Sequence, residues 1–462
     1  MGFFPFFKRS SGSRRVFVIS LDGVPHSFLA RHLPEGAFPN IARLFADGDL
    51  RRMATVQPPV SSVVWASYAT GMNPGRHGVY GLVERRPADY DIFLPGSHDL
   101  ATPTMWDVLG SAGKATIVVN VPGTWPPRPV RGVLIAPARA ATLEEIVYPH
   151  ALGSFLRGID YRLDVDTRSG QEGNKDDFLA DLDLVLHKRF EAAFSLLHRE
   201  PWDFFQLHIS ETDRINHFFW EDYERDTPGY GRAFLSFYRR LDSLIGELLS
   251  VVPAGAEVIV LSGNGFRRLR REIYLNRALE ERGWLEFERG DGRRLGMISR
   301  DARAYSLAPG RVFLHLKGRE PKGGISGSEE YRANRDGVSA DLLRLVDPEG
   351  GQPLVSAVLK GERVNSNPAW PAFPLPISGR RPAPCDMLVV PAEGYEIKGH
   401  LDRETITGRS DMTGMHACDD AFVFVRGRRI CSSTPSIEDV CPTVLDLMGV
   451  RPDEHPDGKS LV

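Results

Sequence analysis

Residues 58–78 read PPVSSVVWASYATGMNPGRHG, and this stretch predicts a helix that begins at a serine. The two prolines suit the start of a helix but not its interior, and Gly71 and Pro74 end it. Ser61 would face the positive end of the helix dipole and free backbone N–H groups, a position that attracts phosphate. A plain helix N-cap has the same pattern, and the stretch taken alone favours the cap.

Two further apolar runs predict strands that are followed by polar residues. Val16–Leu21 has the pattern of a buried strand and ends at Asp22, at the strand end where open α/β sheets bind ligands. After the strand pattern Phe204–Ile209 come Asp213 and His217, four residues apart, so one helix face can bring both to a metal ion. Each signal has a plainer alternative, namely a capping residue for Asp22 and a solvated helix face for the pair.

A third strand pattern, Glu257–Leu261, ends in Ser-Gly-Asn-Gly, which places Gly263 and Asn264 just after the strand. Much later, His416 follows a loop containing Gly and Thr and precedes the strand pattern of residues 421–425. A single histidine after a loop is usually an ordinary surface residue. None of these three residues indicates a site by itself.

The composition argues against several classes of protein. A formal net charge of −3 argues against a nucleic-acid surface, and the arginine-rich run at residues 267–271 is followed at once by Glu272, as on a solvated surface. The four cysteines lie far apart, which indicates free thiols in a reducing compartment. The N-terminal phenylalanines form too short a run for a signal peptide or a membrane span. We therefore predict a cytoplasmic protein without a transmembrane segment, with weak membrane contact of the Phe-rich tail as the alternative.

Together the motifs resemble the type I phosphodiesterase/nucleotide pyrophosphatase branch of the alkaline phosphatase superfamily. In that branch a Thr or Ser opens a helix after Pro-Pro-x, and the helix runs through Trp-x-Ser to Thr-Gly and a Pro-Gly-x-His-Gly turn. The nucleophile then falls on Ser61 and not on Ser62. The resemblance extends from about Val16 to Val462. It implies an α/β fold with a mostly parallel sheet flanked by helices, which the alternation of buried strands and amphipathic helices also predicts.

The resemblance also implies two catalytic metal sites. Asp213, His217 and His416 would hold one ion, and Asp22 would hold the other. The family has Asp-His where this chain has Gly263 and Asn264, so two ligands of the second site are missing. Because a neutral amide is a poor replacement for a carboxylate and an imidazole, we expect one strongly held Zn²⁺ or Mn²⁺ and a second site that is weak or empty.

The domain prediction rests on the chain length and on the resemblance. A chain of 462 residues is too long for one small core. We expect a flexible N-terminal tail at residues 1–13 and an alkaline-phosphatase-like core at 14–300 and 380–462. Residues 301–379 would form a smaller inserted cap, because the run from Ala304 to Glu320 resembles an insertion in bacterial family members.

Three hypotheses about function remain open. The first is a metal-dependent phosphoester hydrolase, in the first place a phosphodiesterase, that forms a phosphoryl-enzyme on Ser61 and acts on a small phosphorylated substrate. The second is a catalytically degenerate family member that binds a phosphorylated ligand or partner without turnover. The third is that the Gly-Asn pair was introduced by mutation. The sequence predicts neither the identity of the substrate nor the oligomeric state.

Overall fold

The structure is a computed structural model that describes residues 14–86, 89–137, 142–171, 173–290, 292–364 and 383–462. The tail predicted at residues 1–13 lies outside the described residues. The chain divides into two compact units. The first comprises Met1–Met72, Gly96–Arg268 and Asp411–Val462, and the second comprises Asn73–Pro95 and Leu269–Ser410.

A large sheet forms the centre of the first unit. Its five central strands are parallel, and the strands added at the two edges are antiparallel. The prediction of a mostly parallel sheet is therefore confirmed. Within the described residues the strand order is Gly48–Met53, Ala421–Arg426, Glu257–Leu261, Val16–Leu21, Phe204–Ile209, Thr116–Val119, Gly132–Ile135 and Val147–Tyr148.

Helices flank this sheet and bury apolar stripes against it. In the helix Tyr230–Val251, for example, Phe234, Leu241 and Ile245 recur at helical spacing and are almost completely buried. A short antiparallel pair, Gly265–Arg268 and Gly414–Ala417, completes the strands of this unit. The α-helices of the unit are His26–His32, Pro39–Phe45, Ser61–Thr70, Met105–Ser111, Leu152–Gly158, Thr167–Gln171, Lys175–Arg199, Glu211–Glu224, Tyr230–Val251 and Val440–Leu447, with a 3-10 turn at Ile437–Asp439.

The second unit contains smaller sheets and has its own buried ion pairs. Arg311 pairs with Glu84 at 2.8 Å and Arg319 pairs with Asp386 at 2.6 Å, all four side chains being almost fully buried. The cap predicted at residues 301–379 falls within the range of this unit, and its bounds stay a prediction. The strands are Glu84–Arg85, Ile92–Phe93, Arg271–Tyr274, Ala304–Leu307, Arg311–Leu314, Val355–Lys360, Met387–Pro391, Tyr395–Lys398 and Thr407–Gly408, and the helices are Pro74–His77, Leu275–Glu281, Ser328–Leu343 and Gly361–Val364, with a 3-10 turn at Leu295–Met297.

Three neighbouring strands of the large sheet end side by side and position the candidate site. Glu257–Leu261, Val16–Leu21 and Phe204–Ile209 are adjacent and parallel, so their carboxyl ends lie at one edge of the sheet. Asp22 follows the middle strand directly, and the helix Glu211–Glu224 begins just after the third strand. This edge is where ligands bind in sheets of this kind.

Two expectations concern the chain as a whole. Among the residues described, no helix combines the length and the apolar character that crossing a bilayer requires. All four cysteines lie within the described residues and are free thiols, as predicted.

Candidate active site

The helix predicted from residues 58–78 runs from Ser61 to Thr70, and Ser61 is its first residue. Val60 precedes it in an extended conformation, and Gly71 ends it in the left-handed region at φ +69°, donating its N–H to the carbonyl of Ser67 at 2.8 Å. The Ser61 side chain is half-buried at this end of the helix. We refer to Ser61–Thr70 as the nucleophile helix.

Asp213, His217 and His416 converge beside the start of the nucleophile helix. Nε2 of His416 lies 2.7 Å from Oδ1 of Asp213, and Nε2 of His217 lies 3.4 Å from the same oxygen. Within the described part of the chain, these three side chains are grouped closely enough to hold one metal ion, each offering one ligand atom. We call them the metal cluster.

Hydrogen bonds on the far side of each imidazole orient the metal cluster. Nδ1 of His217 lies 3.0 Å from the carbonyl oxygen of Gly414, and Nδ1 of His416 lies 2.8 Å from that of Pro59. Because a carbonyl only accepts, each Nδ1 carries a proton and donates it. Each Nε2 then faces Asp213, as a hydrogen-bond donor when the ring is protonated and as a ligand atom for a cation when it is neutral. Two imidazole nitrogens and a carboxylate oxygen directed at one point are the donor set of a cation site.

Charge also supports an ionised Asp213. Burial opposes ionisation of this carboxyl, which is 2% exposed, but the neighbouring His217 and His416 hold the pKa of Asp213 well below its usual value. The carboxylate is therefore present at neutral pH. The residues of the metal cluster fit a divalent cation in chemistry and in spacing.

Arg214 fixes the second oxygen of Asp213. Its Nη1 donates to Asp213 Oδ2 at 2.5 Å, while Nε and Nη2 reach the two oxygens of Asp164 at 3.1 and 2.8 Å. Burial lowers the pKa of Arg214, but the carboxylates of Asp164 and Asp213 raise it above its usual value. Sequence analysis missed both Arg214 and Asp164. Arg214 could have been found because it is adjacent to Asp213 in the sequence. Asp164 lies 50 residues from Arg214 in the chain, so no local pattern links the two.

The metal cluster is joined to the nucleophile helix through His416. The carbonyl that accepts from His416 belongs to Pro59, two residues before Ser61. His416 itself lies on the strand Gly414–Ala417, opposite Phe266 of the strand Gly265–Arg268. A histidine that looked like a surface residue in the sequence thus bridges the Pro59 carbonyl and the Asp213 carboxylate.

Asp22 is not a member of the metal cluster, and its carboxylate faces protein nitrogen atoms. Its carboxylate is 2% exposed; Oδ1 accepts from the indole Nε1 of Trp65 at 3.3 Å, and Oδ2 lies 3.5 Å from Nε2 of His208. Asn264 is fully buried and donates its amide to the Gly265 carbonyl at 3.2 Å. Its Oδ1 has no hydrogen-bond partner among the residues described.

Gly263 has no room for a side chain as the structure stands. A Cβ there would lie 2.8 Å from Cγ1 of Val64 and 2.9 Å from Cζ2 of Trp65. Side chains of the nucleophile helix therefore fill the space that a side chain at residue 263 would need. These residues do not fit a second metal ion, because Asp22 supplies the one anionic group among Asp22, Gly263 and Asn264.

The sequence model of the type I phosphodiesterase / nucleotide pyrophosphatase family matches residues 16–419, which is most of the chain. The protein belongs to this family. Membership confirms the resemblance inferred from the motifs and places this phosphodiesterase family member in the alkaline phosphatase superfamily. No curated protein matches the sequence.

Several solved structures share the fold at low sequence identity. Human ectonucleotide pyrophosphatase/phosphodiesterase 5 is 13% identical, with 96% of this chain and 97% of that chain covered and a TM-score of 0.57. Phosphonoacetate hydrolase from Sinorhizobium meliloti 1021, in complex with phosphonoacetate, is 17% identical with 95% and 96% covered and a TM-score of 0.62. An inactive variant of murine ectonucleotide pyrophosphatase/phosphodiesterase 5, in complex with AMP, is 14% identical, with 96% of each chain covered and a TM-score of 0.56. At these identities the likeness shows the fold alone.

For this phosphodiesterase family member we expect Gly263→Ala to lower the free energy of unfolding by about 1–3 kcal/mol, because the new methyl group overpacks against Val64 and Trp65. Urea denaturation measures the change. Gly255→Ala is the matched control, since no atom lies within 4 Å of a Cβ at that position. A Gly263→Ala protein as stable as the control would show that the indole of Trp65 is not held against residue 263.

Proposed function

We propose that this protein is a metal-dependent phosphoester hydrolase that cleaves a phosphodiester through a phosphoryl-enzyme on Ser61. The observation that carries the proposal is the metal cluster of Asp213, His217 and His416, joined through the Pro59 carbonyl to the start of the helix that Ser61 opens. Family membership supports the same reaction class. Phosphonoacetate and AMP occupy two of the structurally similar proteins, which supports a small phosphorylated ligand here.

Each residue has a distinct role in the proposed reaction. Oδ1 of Asp213 and the two Nε2 atoms of His217 and His416 would hold Zn²⁺ or Mn²⁺, which supplies Lewis-acid polarisation of a phosphoryl oxygen when bound. Ser61 Oγ bonds to phosphorus as the bond to the first alcohol breaks, and the proton that the Ser61 hydroxyl gives up is balanced by the one that the leaving alcohol takes. Water then attacks the phosphorus of this Ser61 adduct, which still carries the second alcohol; the bond to Ser61 Oγ breaks, the phosphomonoester leaves and the hydroxyl is restored. The start of the nucleophile helix favours the negative charge that the phosphoryl group carries.

A second candidate function is the binding of a phosphorylated ligand or partner without turnover. The specific observation that favours it is that the residues at the expected second metal site, Asp22, Gly263 and Asn264, do not fit a metal ion. Asp22 faces Trp65 and His208, and neither Gly263 nor Asn264 supplies a charged ligand. A serine hydroxyl without a cation beside it is a weak nucleophile.

The test is hydrolysis of a chromogenic phosphodiester by protein stripped with a chelator and then supplied with Zn²⁺ or Mn²⁺. We expect no turnover after chelation and recovery when the metal is returned, because the metal cluster is the proposed source of phosphoryl polarisation. Metal uptake is measured on the same samples. Protein that takes up metal but shows no metal-dependent turnover would contradict the hydrolase proposal and favour binding without turnover.

A further inference from the structure

A row of buried polar side chains lies between the nucleophile helix and the large sheet. Tyr68 OH donates to Gln206 Oε1, and Gln206 Nε2 donates to Ser20 Oγ at 2.8 Å. Ser20 Oγ lies 2.9 Å from Nδ1 of His208, whose Nε2 is 3.5 Å from Oδ2 of Asp22. We call these five residues the polar row. All five are 0–2% exposed, so removing one member would leave the buried polar group of its neighbour without a hydrogen-bond partner and would destabilise the protein.

The nucleophile helix contributes Tyr68 to one end of the polar row and contacts the other end through Trp65. Trp65 donates its indole N–H to Asp22 at one end, and Tyr68 donates its hydroxyl to Gln206 at the other. Residues three apart lie on the same face of a helix, so both side chains reach down to the sheet together. The indole also packs edge-on against the His208 ring, with 4.5 Å between the ring centroids. Two hydrogen bonds about one turn apart therefore fix the distance of this helix from the sheet and its rotation about its own axis.

The surroundings of Asp22 are those of an anchoring carboxylate. One oxygen accepts a hydrogen bond from Trp65 and the other faces His208, so both oxygens are directed at side chains of the protein. The Asn264 amide donates to the Gly265 carbonyl, and Gly263 leaves space that Trp65 fills. A divalent cation would find a single anionic ligand here, whereas the metal cluster offers a carboxylate and two imidazoles.

We infer that Asp22 has exchanged metal ligation for a hydrogen bond to Trp65, and that it serves as a positioning residue that anchors the nucleophile helix while the protein holds one metal ion per chain. Ser61 lies one turn before Trp65 on the same face of the helix, so the anchor sets where the Ser61 hydroxyl points. The inference rests on the proposed function only in assigning the single ion to the metal cluster.

The first measurement is the zinc content of wild type and Asp22→Asn after loading with excess zinc and gel filtration. Asn keeps the shape of the side chain and one acceptor oxygen for Trp65 but lacks the charge that a cation requires. We expect one ion per chain in both proteins. Two ions in the wild type, or the loss of an ion in Asp22→Asn, would overturn the inference.

The second measurement is a double-mutant comparison of melting temperatures. Asp22→Ala and Trp65→Phe each remove one partner of the same hydrogen bond, so each should lower Tm, and the double variant should lower it little further than the larger single change. Additive losses would contradict the anchor. Compared with a wild type that hydrolyses the diester, the Trp65→Phe variant should have a lower kcat and a nearly unchanged KM, because the helix positions the nucleophile and not the bound substrate.

The two measurements separate this inference from the proposed function. A protein that takes up no zinc contradicts both the metal cluster and the single-ion part of the inference. A protein that holds one ion, shows coupled Asp22 and Trp65 variants and turns over no diester contradicts only the proposed function.

Discussion

Ser61→Ala is expected to lower kcat/KM for a phosphodiester by at least about 10³-fold, whereas Ser62→Ala should change it by less than about tenfold. The two hydroxyls are adjacent in sequence, but a helix turns by about 100° per residue, so they point in different directions. Ser61 is the first residue of the helix and stands at the position of the nucleophile in the family motif, and the prediction rests on that assignment.

Kinetics and chemical trapping check this prediction together. After acid quenching during turnover, mass spectrometry of peptides should find on Ser61 of the wild type a phosphoryl group that still carries the second alcohol of the diester. The Ser62→Ala protein serves as the matched control, since it removes a hydroxyl from the same turn of the helix. A Ser61→Ala protein that keeps its activity, or the same adduct found on Ser62, would refute the assignment of the nucleophile.

Asp213→Ala is expected to weaken zinc binding by at least about 100-fold and to abolish turnover. Loss of residues that merely orient a metal ligand weakens affinity by about 10–100-fold, so loss of the ligand itself should exceed that range. The substitution also removes the anionic member of the metal cluster and leaves Arg214, a cation, beside two imidazoles. Titration of the stripped protein with zinc, followed calorimetrically, measures the affinity.

Asp222→Asn is the matched control for this prediction. Asp222 lies on the same helix, Glu211–Glu224, and is also buried, but its carboxylate pairs with Lys175. We expect this variant to bind zinc as tightly as the wild type even if it is less stable. If both variants lose affinity to the same extent, the loss reflects damage to the helix, and the metal cluster loses its support.

Much of the scaffold could be predicted because the central strands are buried on both faces. The runs Val16–Leu21 and Glu257–Leu261 are nearly continuous in apolar residues, and the structure gives them the predicted bounds. The spacing of Asp213 and His217 likewise predicted a shared helix face, and both side chains do reach one point. These signals are local, so one stretch of sequence contains all of the information.

The contacts that complete the site could not be predicted in this way, because they join distant parts of the chain. Asp164 reaches Arg214 from a loop 50 residues away. His208 reads as a core histidine within a strand, and its contact with Asp22 depends on the register in which Ser20 lies opposite His208. Likewise, no pattern indicates that residues 73–95 pack with residues 269–410, where Glu84 meets Arg311.

The hydrogen bond from Arg214 to Asp213 affects which metal ion the protein would select. With Oδ2 engaged by the guanidinium, Asp213 can offer a cation one oxygen and not two. The metal cluster then presents two nitrogens and one oxygen, a low coordination number that suits Zn²⁺. Ca²⁺ requires six to eight oxygen ligands, and Mg²⁺ prefers an octahedron of oxygens, so both would be poorly served. Discrimination among ions would thus depend partly on an arginine that never touches the ion.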